Sequence, residues 1–306
     1  MATASATPVA EDAGPYGSPP HSPWTDIDWS EHQRWLTVDG RPVNVIEIGE
    51  GPPLLFVHGH AGCWQNWLEN IPYFAQTRRV IVPDLPGFGW SPMPAAEISI
   101  TNYAGILNSI CDQLEIDAAA VVGNSMGGFI GAEMALRFPQ RVERLGLIAA
   151  AGLTRHYMRI PISVMANPRG GGEILFRLLA APYDRAQKMA RRRRLRTLSL
   201  FMVARHPERI SPPMAAYLIA GSGKPGAAPA SIALATYDFR DRVGEIACPT
   251  LVLWGQDDFV IAAGAADRYE RMIPNSRKVV LADTGHVPMV ERPAQFNATL
   301  EEFLAE

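Results

Sequence analysis

From Arg41 to Ala149, and again from Leu251 to the end of the sequence, short apolar runs take turns with stretches of helical period. That alternation admits few folds. Val43–Ile48, Pro53–His58, Val80–Pro83, Ala118–Val122, Leu145–Ala149, Leu251–Trp254 and Lys278–Leu281 have the length of strands rather than helices. Between them, Thr101–Leu114 carries Tyr103, Ile106, Leu107 and Ile110 at helical spacing. Gly127–Phe138, a stretch from about Ala262 to Met272, and the residues from Arg292 onward read the same way. Strands alternating with helices specify an α/β fold, a mostly parallel sheet covered by helices on both faces.

Two regions fall outside the rhythm. The segment 1–30 is rich in Ala, Pro and Ser without a regular apolar period, and lacks the basic start and continuous apolar stretch of a secretory signal. It reads as a flexible tail, or as an arm laid on a neighbouring subunit. The interval 154–242 holds several helical stretches, a break at Arg169–Gly172 and another at Gly221–Pro229, with no internal repeat. An insertion between two strands at the ligand-bearing edge of a sheet most simply makes a helical cap, a separately packed domain being the competing reading. The expected organisation is therefore a tail over 1–30, a core over 31–153 and 243–306, and a cap over 154–242.

Composition excludes several function classes. Lys+Arg 28 against Asp+Glu 31 leaves −3, too near neutral for a protein that lives on phosphate backbones. The three cysteines Cys63, Cys111 and Cys248 form no CxxC pair, which excludes a disulfide framework and a zinc ribbon and fits a reducing, cytoplasmic compartment. No apolar stretch is long enough to span a membrane. Neither nucleic acid nor stable membrane insertion is expected, and no metal or cofactor; the oligomeric state stays open.

The sharpest local signal is Val121-Val122-Gly123-Asn124-Ser125-Met126-Gly127-Gly128. Gly123-x-Ser125-x-Gly127 ends an apolar strand and opens a helix, the context in which a serine sits on a tight, strained turn with its hydroxyl presented. The flanking glycines let neighbouring backbone pass close, and the helix N-terminus favours negative charge. A serine needs a base, and the base needs an acid to fix its tautomer. Among seven histidines, His286 in Thr284-Gly285-His286-Val287-Pro288 follows the strand Lys278–Leu281, and Asp258 follows Leu251–Trp254 through Gly255-Gln256-Asp257. Serine, aspartate, histidine is the chain order this architecture requires. Phe56-Val57-His58-Gly59-His60-Ala61-Gly62 ends an early strand in a Gly-rich loop. Its backbone N–H groups, His60 first and Ala61 second, pair with the Met126 N–H as oxyanion donors. A metal reading of His58 and His60 lacks a matching carboxylate or Cys cluster.

These segments together resemble the α/β-hydrolase family. The resemblance spans Arg41 to Glu306 and rests on His58-Gly59, Asp84-Leu85-Pro86-Gly87-Phe88-Gly89-Trp90-Ser91, Gly123–Gly128, Gly255-Gln256-Asp257-Asp258 and Gly285-His286. It implies that Ser125 is the nucleophile, His286 the general base and Asp258 the orienting acid. Family spacing behind Gly255 favours Asp258 over the adjacent Asp257, and Asp84 is by the same comparison a structural turn residue. Serine at the elbow disfavours the relatives that use an aspartyl ester, the haloalkane dehalogenases and epoxide hydrolases. Ester hydrolysis is the leading expectation. Hydrolytic C–C cleavage of the meta-cleavage-product type, cofactor-free perhydrolysis and a non-catalytic small-ligand receptor are the alternatives. The elbow looks like that of the C–C hydrolases, whereas their Gly-rich loop after the first His-Gly is replaced by His60-Ala61-Gly62-Cys63-Trp64.

Substrate preference is expected from the cap and its surroundings. Cap residues such as Ile160, Met165 and Leu178 supply apolar surface, Trp64 and Trp67 aromatic walls, and Val287 a contact beside the base. A pocket of this kind favours short to medium acyl or aryl esters. The run Arg191–Arg194 reads as a solvated face, since four consecutive arginines cannot share one side of a helix, with anionic lipid or nucleic acid as the competing ligand.

Overall fold

The computed structural model describes residues 14–19, 21–153, 182–221 and 224–306. Eight strands form one sheet: β1 Gln33–Val38, β2 Arg41–Ile48, β3 Pro53–Val57, β4 Arg79–Pro83, β5 Ala119–Asn124, β6 Val142–Ile148, β7 Thr250–Gly255 and β8 Ser276–Leu281. Their order is β1-β2-β4-β3-β5-β6-β7-β8. β2 runs antiparallel to both neighbours, and every pairing from β4 to β8 is parallel.

The described helices are α1 Ile71–Phe74, α2 Ile100–Gln113, α3 Met126–Arg137, α4 Tyr183–Arg191, α5 Arg193–Leu200, α6 Pro212–Ala220, α7 Ala227–Thr236, α8 Gly264–Met272, α9 Pro288–Glu291 and α10 Pro293–Ala305. Side chains alternate across the sheet. Val43, Val45, Leu55, Val57 and Val121 enter one core with α2, α3 and α8. Ile46, Leu54, Phe56, Ala120 and Val122 enter the other with α1, α10 and residues of α4, α5 and α6. β5 is buried along its whole length, as a central parallel strand must be. Ser99 caps α2 by accepting the Asn102 N–H at 3.1 Å, so that helix starts one residue before Thr101.

The register carries the function. Val57 sits beside Gly123, Asn124 beside Ile148, Ile148 beside Leu253 and Gly255 beside Leu281. The carboxyl ends of β3, β5, β7 and β8 therefore share one edge, and the loops after them open there.

One sequence expectation is modified. The tail boundary at residue 30 falls too late. Tyr16 is hydrogen-bonded to Glu291, Trp24 is buried, and β1 follows from Gln33. These contacts are isolated anchors without periodicity, which composition does not reveal. Within the interval 154–242, α4 to α7 are helical, while Arg169–Gly172 and Met165 lie outside the described residues. The arginine run is broken at Arg192, which separates α4 from α5, and Arg191 to Arg194 are all exposed. Among the described residues no helix is long and apolar enough to cross a membrane.

Candidate active site

Ser125 stands between β5 and α3 with φ 54° and ψ −114°. A positive φ on a residue with a Cβ is strained by about 1–3 kcal/mol, and the surroundings fix it. The Ser125 N–H donates to the Ile148 carbonyl at 2.9 Å, and its own carbonyl accepts the N–H groups of Ala151 (2.9 Å) and Phe129 (3.2 Å). The flanking glycines are needed for space. A Cβ at Gly123 would lie 2.2 Å from the Gly127 backbone, and one at Gly127 would lie 2.2 Å from the Val57 carbonyl oxygen. Ser125 itself is partly exposed at the edge, whereas Met126 behind it is buried.

The imidazole of His286 and the carboxylate of Asp258 meet at 2.7 Å, Nδ1 to Oδ2. Asp258 is 1% exposed, and its other oxygen accepts the N–H groups of Val260 at 2.8 Å and Ile261 at 2.9 Å. One oxygen is thus tied to its own loop and the other is left for the histidine. Asp257 is exposed and lies 3.6 Å from Arg205, so the carboxylate that meets the His286 imidazole is that of Asp258. The loop of His286 packs against the end of β7, where a Cβ on Gly255 would stand 2.0 Å from the Gly285 carbonyl oxygen. It also reaches the elbow: the Asn124 side-chain amide donates to the His286 carbonyl at 3.1 Å.

The loop after β3 approaches from the other side. A Cβ on Gly59 would lie 3.1 Å from the Cβ of Ser125. The Gly62 N–H closes a turn on the Gly59 carbonyl at 3.1 Å, with Ala61 at φ 56°. This bond uses neither the His60 nor the Ala61 amide. The first N–H groups of α3, beginning with Met126, have no partner within the helix. The His60 imidazole is engaged elsewhere, with Nε2 at 2.8 Å from the Ala227 carbonyl and 2.9 Å from the Ser231 hydroxyl. It ties the loop to α7. His58 is fully buried; Nε2 accepts the Leu85 N–H at 3.0 Å and Nδ1 faces the Gly59 carbonyl at 2.8 Å. Burial pushes its pKa down to about 4, so it is a neutral strut. Among the described residues no group of three or more His, Cys, Asp or Glu side chains is arranged to hold a metal.

The substrate-lining expectations fare unevenly. Trp67 is fully buried and stacked on Phe56, with centroids 4.5 Å apart, so it belongs to the core and not to a pocket wall. Its apolar neighbours on the strand face outcompete exposure, a choice that residue type alone does not reveal. Trp64 lines a cavity of about 560 Å³ with Trp29, Trp90, Tyr183, Tyr217 and Lys224, a set that contains none of Ser125, Asp258 and His286. Val287 is buried in the core cluster beside α10, with its N–H donating to Glu291 at 3.2 Å. Met165 lies outside the described residues. Glu291 is the residue that sequence reasoning missed. It is fully buried and gathers the amides around His286. Its place five residues after the histidine in a helical turn is a signal only once that turn is known.

A family model described as the alpha/beta hydrolase fold matches residues 52–293. The chain is 28% identical over 312 residues to a 2-hydroxy-6-oxo-6-phenylhexa-2,4-dienoate hydrolase of Burkholderia cepacia, covering 92% of this chain and 99% of that one. Among solved structures it resembles the meta-cleavage product hydrolase of Pseudomonas fluorescens IP01, with TM-score 0.71, 26% identity and coverage of 90% and 98%. It also resembles a thermophilic esterase from Thermogutta terrifontis, with TM-score 0.70, 25% identity and coverage of 89% and 98%.

Proposed function

Since the chain belongs to the α/β-hydrolase family, we propose that it hydrolyses carboxylic esters of small to medium, mainly apolar acyl or aryl groups through an acyl-serine intermediate. In this reading His286 takes the proton of Ser125 as the hydroxyl attacks the carbonyl carbon, and Asp258 holds the imidazole in the tautomer that accepts it. The backbone N–H groups of His60 and Met126 stabilise the oxyanion. The imidazolium then returns its proton to the leaving alcohol. Water, deprotonated by the same histidine, attacks the acyl group and releases the acid and free Ser125. The observation that carries the proposal is the 2.7 Å His286–Asp258 bond, at the edge where Ser125 holds its strained turn.

A second reading, hydrolytic C–C cleavage, is favoured by the names of the Burkholderia and Pseudomonas relatives. The loop His60-Ala61-Gly62-Cys63, less rich in glycine than the one expected for that chemistry, speaks for the ester. Ser125→Ala keeps a Cβ at the strained position and should keep the fold while lowering p-nitrophenyl ester turnover by roughly 10⁴-fold or more. Turnover that survives in this variant refutes the nucleophile. Offering the wild type a vinylogous diketone separates the readings: decay of its absorbance, with no ester turnover, replaces ester cleavage by C–C cleavage.

A further inference from the structure

The N-terminal segment reaches the back of the loop that carries His286. Glu291 closes α9 and is fully buried. Its carboxylate accepts the Gly285 N–H at 2.9 and 3.0 Å and the Val287 N–H at 3.2 Å, the amides on either side of His286. It also accepts the N–H of Arg205 at 2.8 Å. Val203, two residues before Arg205, accepts the His286 N–H itself at 2.9 Å. The carboxylate's side-chain donor is Tyr16, whose hydroxyl stands 2.6 Å from Oε2 and in turn accepts the His206 N–H at 2.8 Å. Beside it the Gly17 N–H donates to the Glu291 carbonyl at 2.7 Å. The Tyr16 ring is held by the guanidinium groups of Arg292 at 4.7 Å and Arg209 at 5.6 Å and, edge-on, by His206 at 5.2 Å. Burial, and after it the Glu291 charge, holds the phenol above its ordinary range, so that it remains a donor.

We propose that residues 15–17 form a strap that positions the catalytic base, with Tyr16 as a positioning residue acting through Glu291 on the loop of His286. The inference rests on the reading of Ser125 and His286 given above. A buried carboxylate surrounded by donors has one orientation in which all of them are satisfied, and that orientation sets where Gly285 and Val287 place the histidine between them. Removing the hydroxyl leaves Oε2 one donor short, so that the carboxylate shifts toward the three amides that remain and draws Gly285 and Val287 with it. General-base transfer is sensitive to displacements well under an ångström.

Tyr16→Phe keeps the ring and its cation contacts and deletes the hydroxyl alone. Turnover of a p-nitrophenyl ester, counted per serine titrated by a fluorophosphonate, is expected to fall about tenfold with KM within about twofold. Amide hydrogen exchange at Gly285 and Val287 is expected to quicken at the same time. A role confined to stability would lower the melting temperature and the number of titratable serines, yet leave turnover per serine unchanged; that outcome overturns the strap. Unaltered exchange at both amides overturns it as well. Wild-type protein that is not labelled at Ser125 refutes the hydrolase reading instead, a failure seen before any variant is made.

Discussion

Asp84 is fully buried at the carboxyl end of β4, where it accepts the Trp64 N–H at 2.8 Å, the Trp90 N–H at 2.9 Å and the Asn44 side-chain amide at 2.9 Å. Its neighbour across the loops is His58, held by Leu85. Burial acts on both, with opposite consequences. It pushes the Asp84 pKa up to about 6, its three donors only partly offsetting the cost, and the His58 pKa down to about 4. A carboxyl whose folded pKa is raised contributes stability that is present below its unfolded value near 3.8 and is lost as pH rises through about 6. A histidine whose folded pKa is depressed contributes stability that is present above 6.5 and is lost as pH falls through about 4. Each contribution is on the order of 3 kcal/mol, so between pH 4 and pH 6 they largely cancel. Asp84→Asn removes one of the pair. It should destabilise the fold by about 1–3 kcal/mol, because an amide nitrogen must now face a donor. It should also leave the His58 contribution unopposed. Urea midpoints at pH 4.5, 5.5 and 6.5 are expected to rise more steeply with pH in the variant than in the wild type; parallel profiles refute the pairing. Asp84 reads in the sequence as a turn residue, and so it is. Nothing in the sequence shows that its oxygens bridge β2, β4 and the loop after β3.

The elbow, the loop after β3 and α6 are separate elements joined by contacts between backbones, and glycines mark the joints. At the carboxyl end of α6, a Cβ on Gly221 would stand 2.0 Å from the Ala61 carbonyl oxygen. The end of α6 thus leans on the turn whose amides are proposed to hold the oxyanion. Gly221→Ala should push that turn aside and lower turnover by about 10- to 100-fold, a loss on the scale of one misplaced oxyanion donor, while the buried sheet beneath keeps its melting temperature. Unchanged turnover would separate the cap from the loop. Strands, elbow and the loops of Asp258 and His286 are legible in the sequence because each is punctuated locally: apolar runs of strand length, then Gly or Asp at the turn. The joints are not. Gly221 looks like a loop breaker until Ala61, 160 positions earlier, is found against it. β1 escapes because its burial pattern alternates only weakly, with Val38 its one buried residue. Trp67 goes to the core rather than the pocket because Phe56 on β3 offers it a stacking partner.

At the scale of the molecule, the folding unit is larger than the family match. That match begins at residue 52, and the motifs that carry the resemblance begin at His58. Yet the chain before them is stitched to the body at two distant places. Tyr16 sits behind the histidine loop. A few residues on, Glu69, which is 8% exposed, receives the indole N–H of Trp24 at 2.8 Å and the hydroxyls of Ser18 at 2.5 Å and Ser22 at 3.1 Å. The boundary at residue 30 misses this because a Pro- and Ser-rich segment with single aromatic anchors has no period to detect. The sequence shows the anchors but not the buried carboxylates that receive them. Losing the segment uncovers apolar surface and removes hydrogen bonds at both Glu69 and Glu291, together about 3–5 kcal/mol. A chain starting at Gln33 loses every one of these donors to Glu69 and exposes the apolar surface that Trp24 covers. Its denaturation midpoint should therefore fall by an amount of that order. Trp24→Phe, which keeps the apolar cover and removes one donor, should cost only about 1–3 kcal/mol. A truncated chain that unfolds at the same denaturant concentration as the full one would mean that the domain begins at β1, and that everything before it is ornament on a finished fold.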